Sequence, residues 1–252
     1  MDWRNYAGQH ALADFVPLEH EGARMLVRRG YEDSARLLVE RRTLPAVEML
    51  GGGRQAHPVV VLPSGEKAVV RRYHRGGLVR HVNASRYFGG NRAFDELRAT
   101  ERARAGGVRT ARVLAAVESP GTVGYTAMLA TLLIPGATDA AGWLASHGAR
   151  RDDMLRDAGR QIGAMHAAGV SHPDVHLRNL LVAEKEGAPE VWLLDFDKAR
   201  VYPGPVTRGR RAVDLRRLAR SARKLRAELG PDAWTLLQEG YGDDWPTGLV
   251  LG

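Results

Sequence analysis

The sequence predicts an α+β chain in two lobes, an antiparallel-sheet N-lobe over residues 1–134 and a mainly helical C-lobe over 135–252. Three observations carry this. Strand-like runs joined by Pro- and Gly-containing turns crowd the first half. Apolar residues at helical spacing dominate the second, and Ile134-Pro135-Gly136 closes the strand-rich part with no polar linker after it. At 252 residues, either lobe is long enough to bury a core of its own.

Taken in order, residues 31–42 place Tyr31, Ala35, Leu37 and Leu38 among Glu and Arg as an amphipathic helix does, and Gly51-Gly52-Gly53-Arg54 breaks the pattern. Val59–Leu62 and Lys67–Tyr73 are β-rich runs around Pro63-Ser64-Gly65-Glu66, a hairpin whose Pro and Gly supply the turn. A glycine-rich excursion leads to a helix over 91–105, and Val113–Glu118 with Tyr125–Leu133 form a second strand pair around Ser119-Pro120-Gly121. Helices are predicted over 139–147 and 151–168, the latter with Leu155, Ala158, Ile162 and Met165 on one face and its C-cap at Gly169. A polar loop, Ser171–Asn179, precedes apolar Leu180-Leu181-Val182, a turn at Glu186-Gly187 and Val191–Asp197. An arginine-rich helix over Val213–Leu229 and a short segment around Trp234 complete the chain.

Composition narrows the function. Hydrophobic residues make up 44% and charged residues 26%, and no run of eighteen apolar residues is present to cross a bilayer. Met1-Asp2-Trp3-Arg4-Asn5 lacks the apolar core of a secretory signal, so a cytoplasmic location is expected. The absence of cysteine excludes disulfides and thiolate metal sites. A net charge of +8 points to anionic partners: phosphates, nucleic acid or an acidic membrane surface. Only Lys67, Lys185, Lys198 and Lys224 among the 37 basic residues are lysine. That arginine bias suits bidentate phosphate binding and is equally the mark of a GC-rich genome.

The chemistry is concentrated after residue 170. His172-x-Asp174-x-x-x-x-Asn179 is followed, across a short hairpin, by Asp195-Phe196, matching in order and spacing the catalytic and metal loops of kinase-like phosphotransferases. Phosphoryl transfer from ATP needs a carboxylate beside the attacking hydroxyl, and oxygen ligands for Mg2+ that offset phosphate charge. Asp174 suits the first task, and Asn179 with Asp195 the second. As plain structure, the three would be turn formers and a strand-end cap. His172 suits either a hydrogen-bonded brace of the loop or an ordinary turn. Asp197 either adds a carboxylate near the metal or pairs with Lys198 or Arg200. His166 and His176 are given no zinc role, since an isolated histidine is usually hydrogen-bonded or exposed.

In the first half, Ala68-Val69-Val70-Arg71 occupies the place of the strand whose last residue, in kinase-like phosphotransferases, contacts the α- and β-phosphates, and Glu96 on the next helix can pair with Arg71. Gly52 and Gly53 can let backbone amides approach phosphate. The alternatives are solvated charges and a plain glycine loop. Arg75 and Arg80 lie in a connection rich in Arg, Gly and aromatic residues, either an anion-binding flap or a solvated loop. Arg208-Gly209-Arg210-Arg211 with Arg216, Arg217, Arg220 and Arg223 reads as a solvated helix face that can also rest on anionic lipid headgroups.

With these residues in view, the sequence resembles the lipopolysaccharide kinases that act on 3-deoxy-D-manno-octulosonic acid (Kdo), and the related core heptose kinases. The resemblance is carried by Val70-Arg71-Arg72-Tyr73-His74-Arg75-Gly76-Gly77-Leu78, Arg92-Ala93-Phe94-Asp95-Glu96, His172-x-Asp174 with Asn179, and Trp192-Leu193-Leu194-Asp195-Phe196-Asp197-Lys198-Ala199-Arg200. It implies a protein-kinase-like bilobal fold. It also implies transfer of the γ-phosphate of ATP, with Mg2+, to the 4-hydroxyl of Kdo on a lipid A precursor. Asp174 and His172 are then catalytic, Asn179 and Asp195 bind metal, and Gly52, Gly53, Arg71 and Glu96 bind nucleotide. Arg75, Arg80, His176 and Arg178 are left to bind the acceptor. A substrate anchored in the inner membrane makes the basic chain a peripheral protein of its cytoplasmic face, with no nucleic-acid partner. The sequence departs from the family pattern at Gln55, where a second nucleotide-loop glycine is usual, and at His176 and Arg178, which replace Asn and His. Residues 1–50 match little of the pattern. A core heptose or aminoglycoside-type phosphotransferase and a non-catalytic pseudokinase are the competing readings. The Arg-Gly-Gly-Leu flap favours Kdo, and catalytic spacing at Asp174, Asn179 and Asp195 opposes the pseudokinase.

Overall fold

The computed structural model describes residues 3–6, 10–40, 44–51, 56–73, 92–121, 124–224 and 229–249. The chain divides into two compact units, Met1–Arg98 with Arg112–Leu133, and Ala99–Ala111 with Ile134–Gly252. Residues 99–111 thus group with the second unit, an exchange that a single cut near residue 134 does not describe.

The first unit is made of β1 (Phe15–His20), β2 (Ala23–Arg28), α1 (Glu32–Val39), β3 (Ala46–Leu50), β4 (His57–Val61), β5 (Lys67–Arg72), the first turns of α2 (Arg92–Ala105), β6 (Val113–Pro120) and β7 (Tyr125–Leu132). The strands form one seven-stranded sheet in the order β1-β2-β6-β7-β5-β4-β3, antiparallel throughout. Residues 1–50, in which the sequence pattern suggests only a helix, therefore supply three further strands. β1 and β2 turn through Glu21 and Gly22, both at positive φ (48° and 74°), a geometry whose twist suits a two-residue hairpin.

Side-chain alternation sorts the two sheet faces. Met25, Val27, Ala68 and Val70 pack with Ala35 and Leu38 of α1 on one face. Leu26, Tyr73, Ala116 and Leu129 pack with Ala93, Phe94 and Leu97 of α2 on the other. Arg71, one residue along from Val70, therefore shares the α2 face with Tyr73.

The second unit contains β8 (Thr138–Asp139), α3 (Ala140–Ser146), α4 (Arg151–Ala167), β9 (Val170–Ser171), β10 (Leu180–Lys185), β11 (Ala188–Leu193), β12 (Arg200–Val201), α5 (Arg208–Lys224) and α6 (Ala233–Tyr241). Asp139 caps α3 by accepting from Gly142 N at 3.0 Å. The predicted face of α4, Leu155, Ala158, Ile162 and Met165, lies in the core with Leu215 and Leu218 of α5 and Leu236 and Leu237 of α6. Each such large apolar side chain contributes roughly 1.5–3 kcal/mol on burial. α4 and α6 touch through glycine: a Cβ at Gly240 would lie 1.9 Å from the Arg156 carbonyl oxygen, and one at Gly159 2.1 Å from that of Leu237. α5 begins at Arg208, ahead of the expected Val213, because the arginines before it are good helix formers. The Trp234 segment is the helix α6, whose buried Ala233, Leu236, Leu237 and Tyr241 recur at helical spacing.

Candidate active site

The second unit builds its site on the loop and hairpin that follow α4. After the C-cap Ala168 the chain turns at Gly169, with φ of 80°. A Cβ there would meet the carbonyl oxygens of Gly204 at 2.6 Å and Tyr202 at 2.7 Å, so the close approach itself requires glycine. β9 pairs with β12, and Val175 N closes a turn onto His172 O at 2.9 Å, leaving Asp174 inside that turn.

Hairpin register then joins the two motifs. Leu180 pairs with Leu193, and one step further Leu194 N donates to Asn179 O at 2.9 Å, so Asn179 and Asp195 emerge at the same end of the hairpin. The two-residue turn at the opposite end, Glu186-Gly187, has φ of 52° and 81°. The hairpin is fixed from behind by Asp157 of α4. Its fully buried carboxylate accepts from Val191 N at 2.6 Å and pairs with Arg109 Nη1 at 2.9 Å.

Asn179 Nδ2 donates to the Asp174 carbonyl at 3.2 Å, which fixes Oδ1 as the end of the amide that can take a cation. Asp195 sits in the left-handed region, φ 64° and ψ 61°, where the chain bends from β11 into the helical turn Phe196–Lys198. One amide oxygen and one carboxylate are hard ligands of the kind Mg2+ takes when phosphate and water complete its shell. Among the described residues no cluster of three His, Cys, Asp or Glu forms a dedicated metal cage.

His172 is a brace. Its ring lies 5.2 Å from that of Phe196, and its Nε2 stands 3.0 Å from Leu194 O. A carbonyl can only accept, so Nε2 carries the proton. The buried Nδ1 has no hydrogen-bond partner among the described residues. Burial depresses the pKa of this imidazole, which stays neutral as it ties the loop bearing Asp174 to the turn at Asp195.

A second anchor, which sequence reasoning missed, is Asp214 of α5. Its Oδ2 accepts from His172 N at 2.7 Å, Ser171 Oγ at 2.9 Å and His166 Nε2 at 3.2 Å. His166 is fully buried, and its Nδ1 accepts from Tyr241 OH at 2.7 Å. Burial lowers the His166 pKa and raises that of Tyr241 to about 12, so both stay neutral in this chain of bonds. The signal for Asp214 was present in the sequence: it is the lone acid in an arginine-rich helix, in line with Leu218 and Ser221 on the buried face.

Asp174 carries two cations. Lys198 Nζ donates to Oδ2 at 2.8 Å and Arg217 Nη2 to Oδ1 at 2.9 Å. Partial burial pushes the carboxyl upward, but these bonds outweigh it and hold the pKa at about 2. Neither contact was expected: the sequence places Arg217 on a solvated or lipid-facing helix face and offers Lys198 to Asp197, whereas both reach Asp174. His176 is half-buried, with burial lowering its pKa, and Arg178 is exposed.

In the first unit, Arg71 on β5 and Glu96 on α2 form the predicted pair, Nη1 to Oε1 at 3.0 Å and Nη2 to Oε2 at 3.4 Å. Tyr73 OH also donates to Glu96 Oε2. Glu96 is 1% exposed and Arg71 21%, so the acid is the buried anchor and the guanidinium the more exposed of the two. Gly52, Gly53, Arg75, Arg80 and Gln55 lie outside the described residues.

Comparison with known proteins agrees with this geometry. Residues 51–241 match the lipopolysaccharide kinase (Kdo/WaaP) family. A 3-deoxy-D-manno-octulosonic acid kinase of Actinobacillus succinogenes is 32% identical over 186 residues, 70% of this chain and 76% of that protein. One from Xylella fastidiosa is 30% identical over 213 residues, 78% and 83% of the two. The solved structure of WaaP in complex with acyl carrier protein shares the fold, with a TM-score of 0.59 at 18% identity over 86% of this chain and 88% of that one. The chain belongs to this lipopolysaccharide kinase family and is an ATP-dependent kinase.

Proposed function

We propose that this kinase transfers the γ-phosphate of ATP to the 4-hydroxyl of Kdo on a lipid A precursor. The observation that supports it most is the meeting, at one end of one hairpin, of Asp174, Asn179 and Asp195 in a chain related to Kdo kinases across most of its length. Asp174 orients the acceptor hydroxyl and takes its proton as the oxygen bonds to Pγ. The Pγ–O bond to the β-phosphate breaks, and ADP leaves with the electron pair. Asn179 Oδ1 and the Asp195 carboxylate are the residues that would hold Mg2+, which supplies neutralisation of the phosphate oxygens when bound. Arg71, steadied by Glu96 and Tyr73, contacts the α- and β-phosphates, with Gly52 and Gly53 offering backbone amides. His172 keeps the loop in register. Binding of the acceptor is assigned to Arg75, Arg80, His176 and Arg178.

The test is transfer of labelled γ-phosphate, with Mg2+, to a Kdo-bearing lipid A precursor beside the same precursor without Kdo. Label is expected only on the first, with the phosphate mapped to O4. Equal labelling of both, or label on a heptose-bearing core instead, would move the acceptor elsewhere.

No helix among the described residues is long and apolar enough to cross a membrane. We read the chain as a peripheral protein on the cytoplasmic face of the inner membrane, where its lipid-anchored acceptor lies. The exposed Arg208, Arg210, Arg216, Arg220, Arg223 and Lys224 of α5 favour an anionic surface, each basic residue contributing about 1 kcal/mol near it. Co-sedimentation with anionic vesicles is expected to fall steeply as salt rises; binding indifferent to salt and lipid charge counts against this placement.

A further inference from the structure

The clamp on Asp174 is unusual in its charge balance. Two cations, Lys198 and Arg217, share one carboxylate, so the trio keeps a net positive charge beside the hydroxyl-orienting group. Arg178 on the same loop and Arg216 and Arg220 on α5 add to it, exposed and with no carboxylate partner among the described residues. Leu177 N donates to Ser221 Oγ at 3.2 Å, which holds the loop bearing Arg178 against α5.

The clamp is also open. The side chains of Asp174, Lys198 and Arg217 are 29%, 64% and 29% exposed, whereas Asp214, the structural acid of the same helix, is 1% exposed. The Lys198 pair is largely exposed and weak, and the Arg217 pair is still reached by solvent, so another carboxylate can take the place of Asp174 on these cations. Arg217 brings a planar fork that matches a second carboxylate in two bonds, and Lys198 a mobile point charge.

We propose that Arg217 and Lys198 read the acceptor's own carboxylate: the cations that rest on Asp174 pass to the acid group of the incoming sugar, and Asp174 is left facing the hydroxyl. This deepens the function proposed above and rests on it, since a 3-deoxyoctulosonic acid carries a carboxylate at neutral pH and a neutral heptose does not. Arg217 and Lys198 are thus specificity residues for an acidic sugar.

The experiment compares the Kdo-bearing lipid A precursor with the same acceptor whose Kdo carboxylate is a methyl ester, using wild type, Arg217→Gln, Arg217→Lys and Lys198→Gln. Melting temperature and ATP affinity, measured alongside, separate recognition from folding, and the largely exposed Lys198 gives a variant with little structural risk. Wild type is expected to favour the acid by about 10- to 100-fold in kcat/KM, the loss that follows when a charge-assisted bond is left unmade. Arg217→Gln is expected to treat acid and ester alike, and Lys198→Gln and Arg217→Lys to fall between. The ratio of acid to ester is the readout, because a role confined to holding Asp174 would lower both acceptors equally and leave the ratio unchanged. An unchanged ratio in Arg217→Gln and Lys198→Gln overturns the inference and leaves these cations to Asp174 or to a nucleotide phosphate. A wild type that labels acid and ester equally removes this inference alone. One that labels neither removes the Kdo reading with it.

Discussion

Asp174→Asn is expected to lower kcat by about 10³-fold, with melting temperature and ATP affinity near wild type. The substitution keeps side-chain shape and removes the charge. The loop does not depend on that charge for its path: His172 N and Ser171 Oγ are held by Asp214, and Asn179 Nδ2 grips the Asp174 backbone carbonyl. In the proposed mechanism, what is lost is an acceptor for the hydroxyl proton. An amide nitrogen would also be set against Lys198 or Arg217, both of which are donors. Initial rates with the Kdo-bearing acceptor measure the effect. Turnover within a few-fold of wild type would remove Asp174 from its role, while a collapse in melting temperature would make the loop's dependence on the charge structural.

Asp195→Asn is expected to cost about 10²-fold or more in kcat/KM, a loss that raised Mg2+ partly restores. Asparagine is the informative replacement because position 195 has φ of 64° and ψ of 61°, a region that Asn tolerates and most residues do not. Alanine would add backbone strain to the loss of a ligand. The two variants separate by their response to metal. Rates across a Mg2+ titration should rise for Asp195→Asn and stay flat for Asp174→Asn. A flat response from both, with nucleotide affinity intact, would take the metal away from Asp195.

Much of the molecule was legible in the sequence where local pattern and burial coincide. The strands around Pro63–Glu66 and around Pro120, and the helices over 91–105 and 151–168, recur within a residue or two of their expected bounds. β1 and β3 were illegible for a physical reason. Both are edge strands of the seven-stranded sheet, and their burial is partial in β1 and almost nil in β3, so neither shows the apolar alternation of a central strand. In β1, Pro17 also demotes the run, although an edge position accommodates it.

The site divides in the same way. Asp174, Asn179 and Asp195 stand out because the chemistry demands particular residue types at short spacing, and a hairpin converts that spacing into proximity. Arg217 does not stand out, because its contact with Asp174 spans 43 residues of chain, and Lys198 does not, because the neighbouring carboxylate of Asp197 draws the expected pairing away from Asp174. Nothing local distinguishes Arg217 from the arginines on either side of it. Glu96 was found because its partner Arg71 lies on the strand just before its helix, and the fold then puts that arginine on the face that α2 covers.

The most direct test of the central claim is phosphorus NMR of the chain with ATP, Mg2+ and a Kdo-bearing lipid A precursor. The ADP signals should grow in step with a single new phosphomonoester resonance on the sugar, one per ATP consumed. ADP accumulating only with inorganic phosphate, the acceptor unchanged, would contradict it.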